Sequence, residues 1–391
     1  MRPMEGMRVI ALEHAVAAPL CTRHLADMGA DVIKIERPGD GDFARAYDDY
    51  VNGMCSHFIW LNRGKRSVTL DVKNPDARAA LDTLIAGADV LVQNLAPGAA
   101  ARLGLTHEAL SPTNPKLVVC DISGYGESGP YVQKKAYDLL IQAESGLISV
   151  TGSDDEPSRV GISIADISTG MYALTGILGA LLRRGRTGQG GNVKIAMLDA
   201  LGEWMTYPML RHAYAGSPPP RVPTNHPGIA PYGAHRTRDG QIIIGLQNER
   251  EWAVFCAKVL KQPDLRTDPR FASQGMRRQN RPALTALIED VFTTMTSLEV
   301  AALLDETGIA NGRLNEPIDV WNHVQFAARD KWREIQTEAG PVRALLPPFT
   351  FTDTEAVMGD VPSVGQHTGE VLAEIGFSPE RIAAMRAAAA I

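Results

Sequence analysis

One carboxylate stands alone in the apolar run GISIADISTGMYALTGILGALLRRG, residues 161–185. Asp166 precedes a pattern that reads as buried helix and ends at Arg183, Arg184 and Gly185. Two readings fit. Asp is a favoured N-cap, where its oxygen accepts a backbone N–H bond. It is also a nucleophile of the carboxylate type, able to form a covalent acyl intermediate. A helix N-terminus favours the anion. With an unperturbed pKa of about 3.9, Asp166 is expected to be ionised at neutral pH without help from a base.

Basic residues are the second chemistry-bearing group. The segment NRGKRS, 62–67, gathers Arg63, Lys65 and Arg66 in a chain whose net charge is −6. Lys73, Arg102, Lys134 and Lys135 lie in other loops that could converge with it on an anionic ligand. The net charge argues against a general nucleic-acid footprint. The four cysteines (Cys21, Cys55, Cys120 and Cys256) form no CxxC pair. Neither a zinc site nor a disulfide framework is expected from such spacing. No metal site is expected elsewhere.

The elements that must hold these residues alternate. Residues 7–12, 31–36, 67–72, 89–94 and 116–122 are β-branched runs bounded by turns. Helical patterns cover 21–30 and 76–88. Strands alternating with helices predict a mainly parallel α/β sheet. The first strand is followed by EHAVAAP rather than a GxGxxG fingerprint, and no GxxxxGK[ST] loop occurs. The layout is therefore Rossmann-like without a nicotinamide signature. His14 and the small residues Ala15, Val16 and Ala17 follow that first strand. Ligands of open α/β sheets sit outside the carboxyl ends of strands, where small residues allow close backbone approach. His14 is a candidate substrate contact; a hydrogen-bonded structural role is the alternative.

Composition shifts near 216, where GSPPPRVPTNHPGIAP holds the chain extended. The expected organisation is a large domain from 1–200 plus 345–391, linkers at 201–225 and 326–344, and a smaller α+β domain at 226–325. In the latter, two strands flank Asp239-Gly240 and helices follow. RTGQGG, 186–191, reads as a helix-to-strand turn. The N-terminus carries acids where a signal peptide has an apolar core. No window is expected to span a membrane. A cytoplasmic location is the expectation.

Five motifs in order carry a resemblance: GADVIKIERPGDGD (29–42), NRGKRSVTLDVKNPDARAAL (62–81), GYGESGPYVQKKAYDLLIQAESGL (124–147), GISIADISTGMYALTGILGALLRR and RTGQGGNVKIAMLDAL. Together they resemble the class III CoA-transferases, over essentially the whole chain. The family includes formyl-CoA:oxalate and carnitine CoA-transferases and α-methylacyl-CoA racemases. The resemblance implies that Asp166 is the nucleophile and that coenzyme A is substrate and product, with no tightly bound cofactor. It implies CoA contacts from Val16, Ala17, Arg37, Leu70 to Lys73, Asn94, Leu95, Ala96 and Arg102. Lys135, Ala136, Tyr137 and Asp138 would line the thiol end. An interlocked homodimer is implied as well.

Two departures matter. Val16 stands where formyl-CoA transferases carry glutamine, which points away from formate and oxalate chemistry. Tyr137 stands where the racemases carry histidine, and a phenol with a pKa near 10 is a poor base at pH 7. Transferase is thus the first reading, racemase the second, and a non-catalytic CoA-ester-binding protein the third. The acceptor is expected to be a carboxylic acid such as succinate, itaconate or mesaconate. Arg45 and Arg221 are candidate cations for a distal carboxylate. Tyr232 and His235 are candidate contacts from the smaller domain, with structural roles as the alternative.

Overall fold

The computed structural model describes residues 1–391. The chain divides into two compact units. The first comprises 1–147, 160–207 and 328–391, and the second 148–159 and 208–327.

The first unit is built on six strands: β1 (Arg8–Leu12), β2 (Asp31–Glu36), β3 (Lys65–Thr69), β4 (Val90–Gln93), β5 (Val118–Ser123) and β6 (Gly191–Ala196). All pair in parallel, in the order β3-β2-β1-β4-β5-β6. The expected α/β class holds. Strand order reverses between β1 and β4, which opens a crevice beyond their carboxyl ends. The central strands are buried on both faces, as their runs of Val, Ile and Leu require.

Helices cover both faces. On one, α1 (Ala17–Asp27) and the long helix α4 (Ile164–Thr187) pack with Val9, Val32, Val92, Val118 and Cys120. On the other, α2 (Pro75–Ala86) packs with Ile10, Ile33, Leu91 and Val119. Asn74 caps α2 by accepting from the amides of Asp76 and Ala77. The C-terminal helices 368–374 and 379–387 join that second face. The tail docks on β3: the Thr69 amide donates to the Thr368 hydroxyl at 3.0 Å.

Glycine sets the approach of α1 to α4. A Cβ at Gly170 would lie 2.6 Å from the Ala17 carbonyl oxygen. At Gly176 it would meet Val193 Cγ1 at 2.5 Å. Helix α4 ends at Gly188, a left-handed C-cap with φ +72°, and β6 follows at once. The helix-to-strand turn read at 186–191 is present.

Three expectations need correction. Helix α1 begins at Ala17, four residues earlier than its pattern suggested: the Val16 carbonyl accepts the first helical bond from the Leu20 amide at 2.8 Å, and Pro19 in the first turn lacks only an amide that has no acceptor within the helix. The stretch 326–344 is not plain linker: β10 (Trp332–Thr337) and β11 (Gly340–Leu345) form an antiparallel hairpin whose inner face buries Ile335. Within 201–225, helix continues to Ala215 before the proline run. A further correction concerns α4. It has 24 residues and an 18-residue window of mean hydropathy 1.3, long and apolar enough to cross a membrane. Its small-residue face instead packs on α1 and the sheet.

The second unit has a three-stranded antiparallel sheet of β7 (Tyr232–Arg236), β8 (Gln241–Gly245) and β9 (Ala310–Arg313). Helices 281–292 and 297–307 bury Leu284, Ile288, Phe292, Val300 and Leu304 against it. Residues 148–159 group here because Arg221 donates to the carbonyls of Ser149, Ser153 and Asp154. That guanidinium is thereby taken up, which removes Arg221 as a free cation.

Candidate active site

A cleft of about 1870 Å³ opens at the carboxyl ends of the six strands. Every strand contributes. His14 to Ala17 follow β1, Arg37 to Gly39 follow β2, and Leu70 to Lys73 follow β3. Asn94 to Arg102 follow β4, Ser123 to Gly126 follow β5, and Lys194 and Met197 end β6 and start the next helix. The candidate nucleophile and the CoA and substrate contacts expected in the first unit line this one cleft: Asp166, His14, Val16, Ala17, Arg37, Leu70, Lys73, Asn94, Leu95, Ala96, Arg102, Lys135, Ala136, Tyr137 and Asp138. Tyr232 does not. It belongs to the second unit, where its ring stacks on His226 at 5.2 Å. His235 is buried there beside Phe292, and burial lowers its pKa to about 4.

Asp166 sits in the first turn of α4, but it is not the N-cap. Ser163 holds that position and makes no capping bond with its side chain. The cap is supplied from afar: Asp138 Oδ1 accepts from the Ala165 amide at 2.8 Å. Asp138 Oδ2 accepts from Gln142 Nε2 at 2.7 Å. Asp138 opens α3 (Asp138–Glu144), a helix the sequence reading did not separate. A Cβ at Gly124 would lie 2.2 Å from Ala136 Cβ, so glycine is what lets the loop after β5 close on the 135–138 segment.

Asp166 itself has no hydrogen-bond partner in the protein and is half-buried. Burial first, and then the charge of Asp138, raise its pKa to about 7. The expectation of a fully ionised carboxylate is corrected here. The helix terminus favours the anion, yet desolvation and a like charge outweigh it.

The wall beside Asp166 is aromatic. His14 stacks on Phe43 at 5.5 Å, Phe43 meets Tyr47 at 5.8 Å, and Tyr47 meets His57 at 6.1 Å. Burial, then Asp42 and Asp166, push Tyr47 up to about 12, so its phenol stays neutral. Burial lowers His14 against the pull of Asp42, which leaves a neutral ring. Phe43, Tyr47 and His57 went unnoticed in the sequence. They lie in a loop and a short helix with no periodicity, and only the fold brings them to the cleft.

The basic residues divide into two sets. Arg37, Lys73, Arg102 and Lys135 are exposed, line the cleft and form no ion pair within the chain. The NRGKRS cluster does something else. Arg63 makes a bidentate bond to buried Asp27, at 2.9 and 2.8 Å. Lys65 is buried and reaches Glu13 Oε1 at 2.6 Å. Arg66 pairs with Asp31 and Glu374. Convergence of that cluster on an anion is therefore overturned, since each charge is already matched. Arg45 is overturned likewise: it forks onto Glu36 and stacks over Phe58 at 3.7 Å. Lys134 pairs with Glu144.

One side-chain group has the composition of a metal site. Asp48, Cys55 and His57 offer ligand atoms within 4.8 Å of one another. The Asp48 oxygens already accept from the Ser56 amide and hydroxyl, each at 2.8 Å. Capping of helix 56–62 accounts for that carboxylate.

Comparison with known proteins places this geometry. The sequence profile of CoA-transferase family III matches residues 4–368. An acyl-CoA transferase of Fusarium pseudograminearum is 36% identical over 394 residues, covering 97% of this chain and 86% of that protein. Succinyl-CoA:glutarate CoA-transferase of Mus musculus is 32% identical, covering 96% of this chain and 87% of the relative. A CAIB/BAIF family crystal structure from Brucella suis superposes with a TM-score of 0.86 at 34% identity, covering 96% and 99% of the two chains. With that fold, that cleft and a profile match along nearly its full length, this chain belongs to CoA-transferase family III and is a CoA-transferring enzyme.

Proposed function

We propose that Asp166 carries CoA from a donor acyl-CoA to a small dicarboxylic acid. One Asp166 oxygen attacks the donor thioester carbonyl, and the C–S bond breaks to give a mixed anhydride and CoA thiolate. The thiolate attacks the Asp166 carboxyl carbon, which yields an aspartyl-CoA thioester and frees the donor acid. An acceptor carboxylate then attacks that thioester, and thiolate leaves again. Attack of the thiolate on the acceptor's acyl carbon gives the new acyl-CoA and restores Asp166. Each step exchanges one activated acyl bond for another, so no nucleotide is consumed. Covalent catalysis divides one difficult exchange into easier ones.

One observation carries this reading: the carboxylate without a protein partner faces the same cleft as four unpaired cations. Arg37, Lys73 and Arg102 sit beyond β2, β3 and β4 and suit the phosphates of the nucleotide end. Lys135 to Asp138 and the loop 14–17 flank the thiol end beside Asp166. Glutarate use by the mouse relative supports a dicarboxylate acceptor. Tyr137, exposed and without a histidine's basicity, favours transfer over racemisation. We further infer a homodimer, which would cover Leu178 and Leu182 on α4 and the nearby Trp204, all exposed in the single chain.

The test is direct. Incubation with succinyl-CoA should leave a CoA mass on the peptide containing Asp166, and glutarate should discharge it as glutaryl-CoA. Deuterium exchange at the α-carbon of a 2-methylacyl-CoA, with no adduct and no CoA exchange, would favour the racemase reading. A single-chain mass by light scattering would remove the dimer.

A further inference from the structure

Directly beneath the cleft lies a group of charges that the reaction does not use. Glu13, Lys34, Asp42 and Lys65 are fully or nearly fully buried. Burying four charges is costly, and ion pairs in a core are weak evidence for stability. Their atoms show another use. Lys34 Nζ donates to Asp42 Oδ2 at 2.8 Å and to the Glu13 carbonyl at 3.3 Å. Asp42 Oδ1 accepts from the Ala15 amide at 3.3 Å and from the Ala44 amide at 3.0 Å, and lies 3.9 Å from His14 Nδ1. Lys65 Nζ donates to Glu13 Oε1, to Asn62 Oδ1 and to the carbonyl of Pro19 in the first turn of α1.

Two of these bonds hold the turn that joins β1 to α1: Lys34 Nζ to the Glu13 carbonyl, and the Ala15 amide to Asp42 Oδ1. Ala15 there has φ +61°, a left-handed conformation that a residue with a Cβ rarely adopts. Such strain persists only where the surroundings over-determine it. Asn94 holds the same turn from the other side, accepting from the His14 amide and donating to the His14 carbonyl, both at 2.9 Å. Beyond the strained residue, Ala15 and Val16 pack with Ile167, the neighbour of Asp166 in α4. The turn and Asp166 line the same cleft.

We propose that Asp42, oriented by Lys34, is a positioning residue for the acyl-transfer step: it locks the left-handed Ala15 turn, and so fixes His14 and Val16 against Asp166. This rests on Asp166 being the acyl acceptor. Asp42 touches neither substrate nor Asp166, and acts through the backbone of the turn.

The experiment measures single-turnover labelling of Asp166 by saturating succinyl-CoA, with steady-state constants and melting temperature, in wild type, Asp42→Asn and Asp42→Ala. Asn keeps an acceptor for the Ala15 amide; Ala does not. The labelling rate and kcat should fall about 10–100-fold in Asp42→Ala, the scale of a misplaced reacting group, and less in Asp42→Asn. KM for acyl-CoA should stay within about threefold, because the cleft cations are untouched. A purely structural role would lower the melting temperature and the fraction of labelled chains, yet leave the rate per labelled site unchanged; that result overturns the proposal. If Asp42→Ala does not fold, a wild-type labelling rate in Asp42→Asn at any pH between 6 and 8 overturns it instead. Wild-type protein that never acquires the label removes the transferase mechanism itself, whereas normal labelling in all three proteins removes only the role of Asp42.

Discussion

Asp138 and Asp166 are two carboxylates at the mouth of one helix, and only the first is anchored. Asp138 accepts from Ala165 and Gln142, while Asp166 has no partner and is raised to about 7 by burial and by its neighbour's charge. In the proposed reaction the anion of Asp166 attacks. In the free enzyme kcat/KM should therefore climb with pH through about 7 and level off above it. Asp138→Asn keeps the Oδ1 acceptor for Ala165 and deletes the like charge. The ascending limb should move to lower pH, and an unmoved limb would separate Asp138 from the titration.

The same raised pKa makes Asp166 a liability for folding once ionised. The folded state binds this proton more tightly than the unfolded chain, whose Asp titrates near 3.9. Stability from this group is present below about pH 4 and is lost as pH rises to about 7. Asp166→Asn should abolish CoA labelling. It should also raise the melting temperature by about 1–3 °C at pH 8 and leave it unchanged at pH 4. Equal effects at both pH values would show that the carboxylate is not desolvated.

Free and matched cations should behave differently. Arg102→Ala or Lys73→Ala removes an unpaired charge from the cleft and should raise KM for acyl-CoA about 5–30-fold, or about 1–2 kcal/mol, with the larger loss at low salt. Arg66→Ala, whose charge Asp31 and Glu374 already satisfy, should leave KM within about twofold. Titration of KM against salt in the three variants distinguishes them.

The approach of α1 to α4 should be intolerant of a methyl group. Gly170→Ala puts Cβ against the Ala17 carbonyl, a backbone atom that cannot move aside alone. A loss of about 1–3 kcal/mol is expected, together with a reduced labelling rate at Asp166. Wild-type melting and labelling would mean that the two helices can part without consequence.

The local sequence determined a good deal. Period-two and period-3.6 patterns placed β1, β2, β4, β5, α2 and α4 within a few residues, because central strands and core helices bury regular faces. The five motifs identified the family, and the CoA contacts that the resemblance implied line one cleft. What the sequence left open has a common physical cause. Whether a charge is free depends on partners far away along the chain: Lys65 finds Glu13 across 52 residues, and Asp27 takes Arg63 across 36. A local cluster of arginines and lysines reads as a binding patch until those partners are seen.

The pKa of Asp166 was likewise beyond reach of the residue string. Its ordinary value predicted an anion, whereas desolvation by the packed cleft wall and the approach of Asp138 made it a group that titrates near neutrality. The sequence by itself determined the alternation of elements, the family, and that an isolated Asp begins a small-residue helix. Only the tertiary structure decided which carboxylate caps that helix and which cations remain unpaired. It alone showed how the strained alanine turn is held in the cleft that Asp166 also lines, since burial and charge pairing arise from contacts between segments that no local pattern encodes.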